Sequence, residues 1–293
     1  MENKPLVSIV TGYYNRKENL ISSIESILNQ DYEHFEYIIF DDFSDDGTYE
    51  MLAEFKDPRL KLIRHSENLG FTKGIIQAIS KCNGEYIAIH GAGDVSLPRR
   101  ITLQVEMLQN NPRLGIVGCL VEDIHQGKSK IHSPVINGKS NFFTQGEVMY
   151  LKSLYYKVGG YNSFFKYGQF THLKTEFCKI ADTGYVDEVL YKRIHYKNGV
   201  TNNNDKRFEQ KFYIVSGIYL STNDNSLYKL NINDLLLKTY LNVNVKGKRV
   251  NSTIFFKYYS GSRLIKYLLK LHFNQKISDL FLKRFLRLFK RIS

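Results

Sequence analysis

Apolar runs and helix-spaced apolar residues alternate through the first half of the chain. Residues 6–11 form a compact apolar run. Leu20, Ile24 and Ile27 then recur at helical spacing until Asn29-Gln30-Asp31 breaks the period. Further strands are predicted at 37–40, 60–64, 85–90 and 114–121, and further helices at 48–55, 72–81 and 97–109. Strands alternating with helices imply an α/β fold with a mainly parallel, Rossmann-like sheet and right-handed crossovers. Polar residues gather where three of the strands end, at 13–15, 41–46 and 90–94. In open α/β sheets ligands bind outside the carboxyl ends of the strands, so these loops predict one shared crevice.

The second half is less regular. Residues 125–141 read as a polar loop excursion, Gly159-Gly160-Tyr161 as a turn, and 186–195 as a strand; Leu173, Phe177 and Ile180 have helical spacing. Past residue 204 the pattern changes to helices rich in Phe, Tyr, Leu and Lys, which predicts a domain over 1–204 and a helical C-terminal region over 205–293.

Charge sharpens that division. The 293 residues carry +12, but 257–293 alone carry +9, leaving +3 for the rest. A nearly neutral body with no recognisable nucleic-acid fold argues against nucleic acid as the partner. In the tail, Phe281, Phe285, Leu288 and Ile292 share one helical face, and Lys283, Arg284, Arg287, Lys290 and Arg291 take the other. A basic amphipathic helix of this kind predicts docking on an anionic membrane surface. There is no apolar run long enough to span a bilayer, and the first residues lack the apolar core of a signal peptide. Cys82, Cys119 and Cys178 are far apart, with no Cys-x-x-Cys pair, so neither a zinc site nor a disulfide framework is indicated. The expected location is the cytoplasm, peripheral at the inner face of the membrane.

Seven motifs carry a more specific signal. They are Val7-Ser8-Ile9-Val10-Thr11-Gly12-Tyr13-Tyr14-Asn15, Asp41-Asp42-Phe43-Ser44-Asp45-Asp46-Gly47-Thr48, Glu67-Asn68-Leu69-Gly70, Gly84-Glu85-Tyr86-Ile87-Ala88, Ser96-Leu97-Pro98-Arg99-Arg100, Gly159-Gly160-Tyr161-Asn162, and Glu188-Val189-Leu190-Tyr191 through Arg193-Ile194-His195. In this order they resemble the family 2 glycosyltransferases of GT-A fold, over residues 5 to about 200. The resemblance implies inverting transfer of a sugar from a nucleotide-sugar. It assigns the nucleotide base to Asp42, with Tyr14 and Asn15 beside it. It turns His195 toward the donor phosphates or a metal. Arg100, Lys73 and Arg99 could supply positive charge to a diphosphate. Asp41, Asp45 and Asp46 also read as turn formers and helix caps.

Two departures bear on chemistry. The family ends its fourth strand with Asp-x-Asp-Asp, whose carboxylates hold a divalent ion against the pyrophosphate. Here the segment is His90-Gly91-Ala92-Gly93-Asp94. Asp94 alone is a poor site for Mn or Mg, so the loop is either a decayed metal site or a glycine cradle whose amides meet the phosphates. The second departure is Gln169-Phe170 in place of the acidic pair that deprotonates the acceptor. A neutral amide cannot take that proton, which leaves Asp94 and His172 as candidate bases; His172 also reads as a helix residue on a solvated face. The expected activity is transfer to a saccharide acceptor, lipid-linked at the membrane, in surface polysaccharide or glycan synthesis. The rival is a catalytically inactive glycosyltransferase-like binding or scaffolding protein.

Overall fold

The computed structural model describes residues 4–133 and 144–196, and beyond them the backbone of the short strands Val135–Ile136, Lys139–Ser140, Asn244–Val245 and Lys248–Arg249. The chain divides into two compact units, Met1–Gln210 and Lys211–Ser293. The boundary expected at 204 and the basic tail lie outside the described residues.

The first unit opens with β1 (Val7–Tyr13), α1 (Leu20–Leu28), β2 (Phe35–Asp41), α2 (Thr48–Ala53), β3 (Leu60–Arg64), α3 (Phe71–Ser80) and β4 (Tyr86–Ile89). There follow β5 (Val95–Ser96), α4 (Arg100–Asn110), β6 (Leu114–His125), β7 (Lys128–His132), β8 (Val135–Ile136), β9 (Lys139–Ser140), β10 (Met149–Leu151), α5 (Lys152–Lys157), α6 (Gln169–Phe177) and β11 (Asp182–Ile194). The second unit contributes β12 (Asn244–Val245) and β13 (Lys248–Arg249). The main sheet has nine strands in the order β3-β2-β1-β4-β10-β6-β11-β5, with β7 paired to β6.

Both faces of this sheet are covered. Ile9 and Tyr13 of β1 and Tyr37 and Ile39 of β2 pack with Leu20, Ile24 and Ile27 of α1 and Ile101, Val105 and Leu108 of α4. Val10, Ile38 and Phe40 pack the other way, with Ile75, Ala78 and Ile79 of α3 and Leu173 and Phe177 of α6. That is why β2 reads as one continuous apolar run and not as an alternation. Ile24 is fully buried, so truncating it to Ala would cost roughly 2–5 kcal/mol.

The parallel block β3-β2-β1-β4 matches expectation. Beyond it the sheet is mixed, because β10 enters antiparallel between β4 and β6. The excursion expected at 125–141 is largely a hairpin: β6 runs on to His125 and pairs antiparallel with β7. Its two-residue turn places Gln126 at φ 51° and Gly127 at φ 76°, the positive pair that a tight hairpin needs. The helix expected from residue 97 starts at Arg100, because Leu97 donates its amide to Leu190 on β11. No helix among the described residues is long and apolar enough to cross a membrane.

Candidate functional site

The carboxyl ends of β1, β2 and β4 lie side by side. At the first two, the β1 loop is bolted to the aspartate loop. Asn15 donates its amide to Ser44 Oγ at 2.9 Å and its side chain to Asp45 Oδ1 at 2.8 Å, and Asp45 returns its amide to Asn15 Oδ1 at 3.0 Å. Asp46 accepts the Thr48 amide at 2.9 Å just before α2, a turn role, while the helix's cap position itself is Gly47. Tyr14 stands out into solvent, 52% exposed.

The two aspartates at the end of β2 have different fates. Asp42, assigned above to the nucleotide base, is put to internal use. Its carboxylate accepts from His65 Nδ1 at 2.8 Å, the Leu69 amide at 2.9 Å and the Gly70 amide at 2.8 Å. A carboxylate has about four lone-pair sites, so most of its capacity holds the loop leading into α3. Asp41, read above as a turn former, accepts the Ser44 amide on Oδ2 at 3.0 Å, while its buried Oδ1 has no hydrogen-bond partner among the described residues.

At the end of β4 the glycine loop is filled from β11 and α1. Tyr191 Oη donates to Asp94 Oδ2 at 2.6 Å, and the Ile194 amide donates to Asp94 Oδ1 at 2.9 Å. The Gly91 amide donates to Tyr191 Oη at 2.9 Å, the Gly93 amide to Ser23 Oγ at 3.2 Å, and the Asp94 amide to the Gly91 carbonyl at 3.1 Å. Tyr196 Oη donates to the Gly93 carbonyl at 2.6 Å. A Cβ at Gly91 would lie 2.3 Å from Asp94 Oδ2, and one at Gly93 would lie 2.2 Å from Tyr196 Oη, with Gly93 at φ +84°. Side chains of this chain thus occupy the space that family aspartates would need, and the Gly91, Gly93 and Asp94 amides are spent internally. Ala92, between the glycines, is half-buried.

A divalent ion, which the resemblance implies, does not fit this donor set. Both oxygens of Asp94 are engaged, and among the described residues no group of three His, Cys, Asp or Glu is arranged to hold an ion. Burial pushes the Asp94 carboxyl above its ordinary range, opposed by the Tyr191 and Ile194 hydrogen bonds.

The remaining candidates are sorted by burial. His90 sits between Ser23 Oγ at 2.9 Å and Ser96 Oγ at 3.1 Å; burial first, then Arg100, holds its pKa down at about 3. It anchors the loop from beneath and is enclosed away from any donor. Arg100 is likewise enclosed, against the expectation that it meets a diphosphate. Its guanidinium donates to the Ile89 carbonyl at 2.7 Å, Ser96 Oγ at 2.8 Å and Gln104 at 3.2 Å, with the Tyr191 ring 5.0 Å away. Lys73 is exposed near the start of α3. Arg99 pairs at the surface with Glu188. His195 turns to Asp123 on β6, with Nε2 2.7 Å from Oδ1, and the next residue, Tyr196, is the one that reaches the loop.

Farther along the chain, Gln169 opens α6 and donates to Gln145 Oε1 at 3.1 Å, and Gln145 in turn donates to Tyr161 Oη at 2.6 Å. Gly146 packs on Tyr191, its virtual Cβ 2.1 Å from Oη, which brings this amide chain next to the Asp94 cluster. Gln169 Oε1 is buried with no partner among the described residues. His172, expected on a solvated face, is buried and stacked on Phe165 with centroids 4.9 Å apart, and burial lowers its pKa. In the sequence, His65, Arg16 and Tyr196 carry no signal of a role, Asp41 reads only as a turn former, and Tyr191 only as part of a motif; topology brings all five to these loops.

An α/β sheet with the aspartate loop at the end of β2 and the glycine loop at the end of β4, on either side of β1, has the architecture of a GT-A fold. The profile of the family described as Glycosyl transferase family 2 matches residues 8–179, and the chain belongs to that family. It is similar to a Bacillus subtilis protein named "Putative glycosyltransferase EpsE", at 33% identity over 171 residues, 55% of this chain and 62% of that one. It is also similar to the Escherichia coli UDP-Glc:alpha-D-GlcNAc-diphosphoundecaprenol beta-1,3-glucosyltransferase WfgD, at 31% over 106 residues, 36% of this chain and 42% of that one. The chain therefore spans less than two thirds of these relatives. Among solved structures, Staphylococcus aureus TarS 1–349 in complex with UDP-GlcNAc superposes with a TM-score of 0.66 at 15% identity, covering 94% of this chain and 82% of that one. The Pyrobaculum calidifontis mannosyltransferase PcManGT, in complex with GDP-Man and Mn2+, gives 0.61 at 17% identity, covering 82% and 71%. Both likenesses carry the fold.

Proposed function

We propose that this chain binds a nucleotide-sugar and transfers its sugar to a hydroxyl of a lipid-linked saccharide, inverting the anomeric carbon. The observation that carries the reading is the unpartnered Asp41 Oδ1 at the end of β2. A buried acceptor without a donor is costly, and the imide N–H of a base such as uracil would satisfy it. Tyr14, exposed beside the bolted Asn15–Asp45 loop, would pack on the base. The donor and acceptor in WfgD's name, and the UDP-GlcNAc bound to TarS, support a nucleotide-sugar and a lipid-linked saccharide here. We assign donor chemistry to residues 1–204, and docking at an anionic inner membrane face to the helical region 205–293 with its basic tail. The setting is surface polysaccharide or glycan synthesis.

Titration calorimetry with uridine and guanosine diphosphates tests the base site. Asp41→Asn keeps an acceptor for the Ser44 amide but offers an N–H to the base. It is expected to weaken binding by about 1–3 kcal/mol with little change in melting temperature. Asp42→Asn is expected to lower the melting temperature, because it disturbs three internal bonds. Equal nucleotide affinity in Asp41→Asn and the parent would end the assignment.

A second reading, a binding protein without transferase activity, is favoured by Gln169, which cannot take a proton, and by the enclosure of Asp94 and His172. Transfer assays over several nucleotide-sugars separate the two. Donor binding with neither hydrolysis nor transfer, unrescued by Gln169→Glu, is the outcome of the second reading. Loss of an otherwise robust transfer in Asp94→Asn or His172→Gln, by about 10²–10⁴, would identify the base of the first.

A further inference from the structure

The glycine loop offers a diphosphate no fitting metal site, and its Gly91, Gly93 and Asp94 amides are already engaged, yet two negative charges would have to be met there. Two cations are felt at Asp94, Arg193 and Arg16; Arg193 is committed to Asp123, and Arg16 stands three residues past the end of β1. Its backbone is fixed: the amide donates to Thr48 Oγ1 at 2.9 Å, and the preceding Asn15 is tied to Ser44 and Asp45. Its guanidinium lies 4.2 Å over the Tyr196 ring. Tyr196 is held in turn by its bond to the Gly93 carbonyl at 2.6 Å and by Asn19 Nδ2 at 3.1 Å. Among the described residues no carboxylate forms an ion pair with Arg16. A planar guanidinium resting on an aromatic face keeps its fork of donors for an outside partner, and that fork matches phosphate oxygens two at a time. Arg16 also sits between the Asp41 end of the crevice and the glycine loop, the interval that a diphosphate would bridge between base and sugar.

We propose that Arg16, laid on Tyr196, is the cation that meets the donor diphosphate, and that nucleoside diphosphates bind this chain without a divalent ion. This rests on the donor reading above. It gives Gly91 and Gly93 a positive role: their lack of side chains admits Tyr191 and Tyr196, and Tyr196 seats the arginine. One fixed charge on the protein would then stand where the family resemblance implies a metal.

The test is calorimetric titration of the full chain with UDP, GDP and plain uridine, in EDTA and in Mn2+. The parent is expected to bind one diphosphate with affinities in the two buffers that agree within about twofold, against the tenfold that marks a real difference in binding energy. Arg16→Ala should weaken diphosphate binding roughly tenfold or more, since it removes charge-assisted bonds to phosphate, and should leave the weaker uridine binding unchanged. Arg16→Lys should recover part of the loss. Parent affinity raised tenfold by Mn2+, or Arg16→Ala binding diphosphate like the parent, would overturn the proposal while leaving the donor reading intact. No binding of either diphosphate in either buffer would overturn both. The buffer comparison uses the parent alone, so it stands whether or not a variant folds; thermal melts report on the variants.

Discussion

The imidazole of His90 is held between two serine hydroxyls beneath the glycine loop, fully enclosed beside the Arg100 guanidinium. Protonating it there places a second positive charge where water cannot reach. Its pKa is accordingly pressed down to about 3 from the ordinary 6.5. Between those values the unfolded chain binds a proton that the folded chain refuses, so stability falls as pH drops from about 6.5 toward 3. His172, lowered by burial, acts in the same direction. Asp94 acts in the opposite one: its raised pKa favours the folded state in acid, and that contribution is lost as pH rises. Comparing the parent with His90→Gln, whose amide can still reach Ser23 and Ser96, isolates the histidine. The parent's urea midpoint is expected to drop more steeply than the variant's between about pH 6.5 and about pH 4.5; parallel curves would show that His90 does not titrate on unfolding. At this scale the loops at 13–15, 41–46 and 90–94 were legible in the sequence, and the hydrogen bonds that fill them were not. His90, Arg100 and Asp42 stand at family positions, yet each is absorbed into packing or loop anchoring. Which of two adjacent aspartates keeps an open oxygen depends on His65 and the Leu69 and Gly70 amides, and these reach Asp42 only once β2 and β3 are paired.

Elements show a similar split. Strands and helices of the first hundred residues were legible because each buries a face or both faces, and the period follows from that. The hairpin β6–β7 was not, because its turn is Gln126-Gly127 and Gln is an unusual occupant of a positive-φ site. The three-residue β10 was not, because nothing in so short a run sets its direction. The pairing of β6 and β5 with β11 is what seats Tyr191 and Tyr196 against the glycine loop. The interlock between β4 and β11 is directly testable. Gly93→Ala imposes φ +84° on a residue with a Cβ, costing roughly 1–2 kcal/mol, and pushes that Cβ into Tyr196 Oη, adding about 1–3 kcal/mol of overpacking. In a Tyr196→Ala background the second cost should vanish and the first remain. Chemical denaturation of the two single variants, the double variant and the parent should therefore show coupling. Additive losses would mean that the loop and the strand are energetically independent, since only residues sharing a contact couple at this range.

For the whole molecule the governing asymmetry is charge. Residues 257–293 hold +9 of the total +12, on a body that is close to neutral. A lipid-linked acceptor has its saccharide at the membrane surface, so an enzyme that uses one gains by being concentrated there. Near an anionic surface each basic residue contributes about 1 kcal/mol, falling off within a Debye length. The Phe281, Phe285, Leu288 and Ile292 face would add apolar burial that salt does not screen. Both halves of that statement can be measured. The full chain is expected to sediment with vesicles rich in anionic lipid and to remain in solution with neutral ones. Added salt should weaken the binding without abolishing it, because the apolar face persists. A chain ended at Phe256 should stay in solution with both vesicle types, while its near-ultraviolet circular dichroism and its affinity for nucleoside diphosphate remain those of the parent. Replacing Phe281 and Phe285 by Ser in the full chain should leave only the salt-sensitive part. Equal sedimentation of the full and shortened chains would refute the membrane assignment, and loss of nucleotide binding in the shortened chain would show that 257–293 serves the donor site instead.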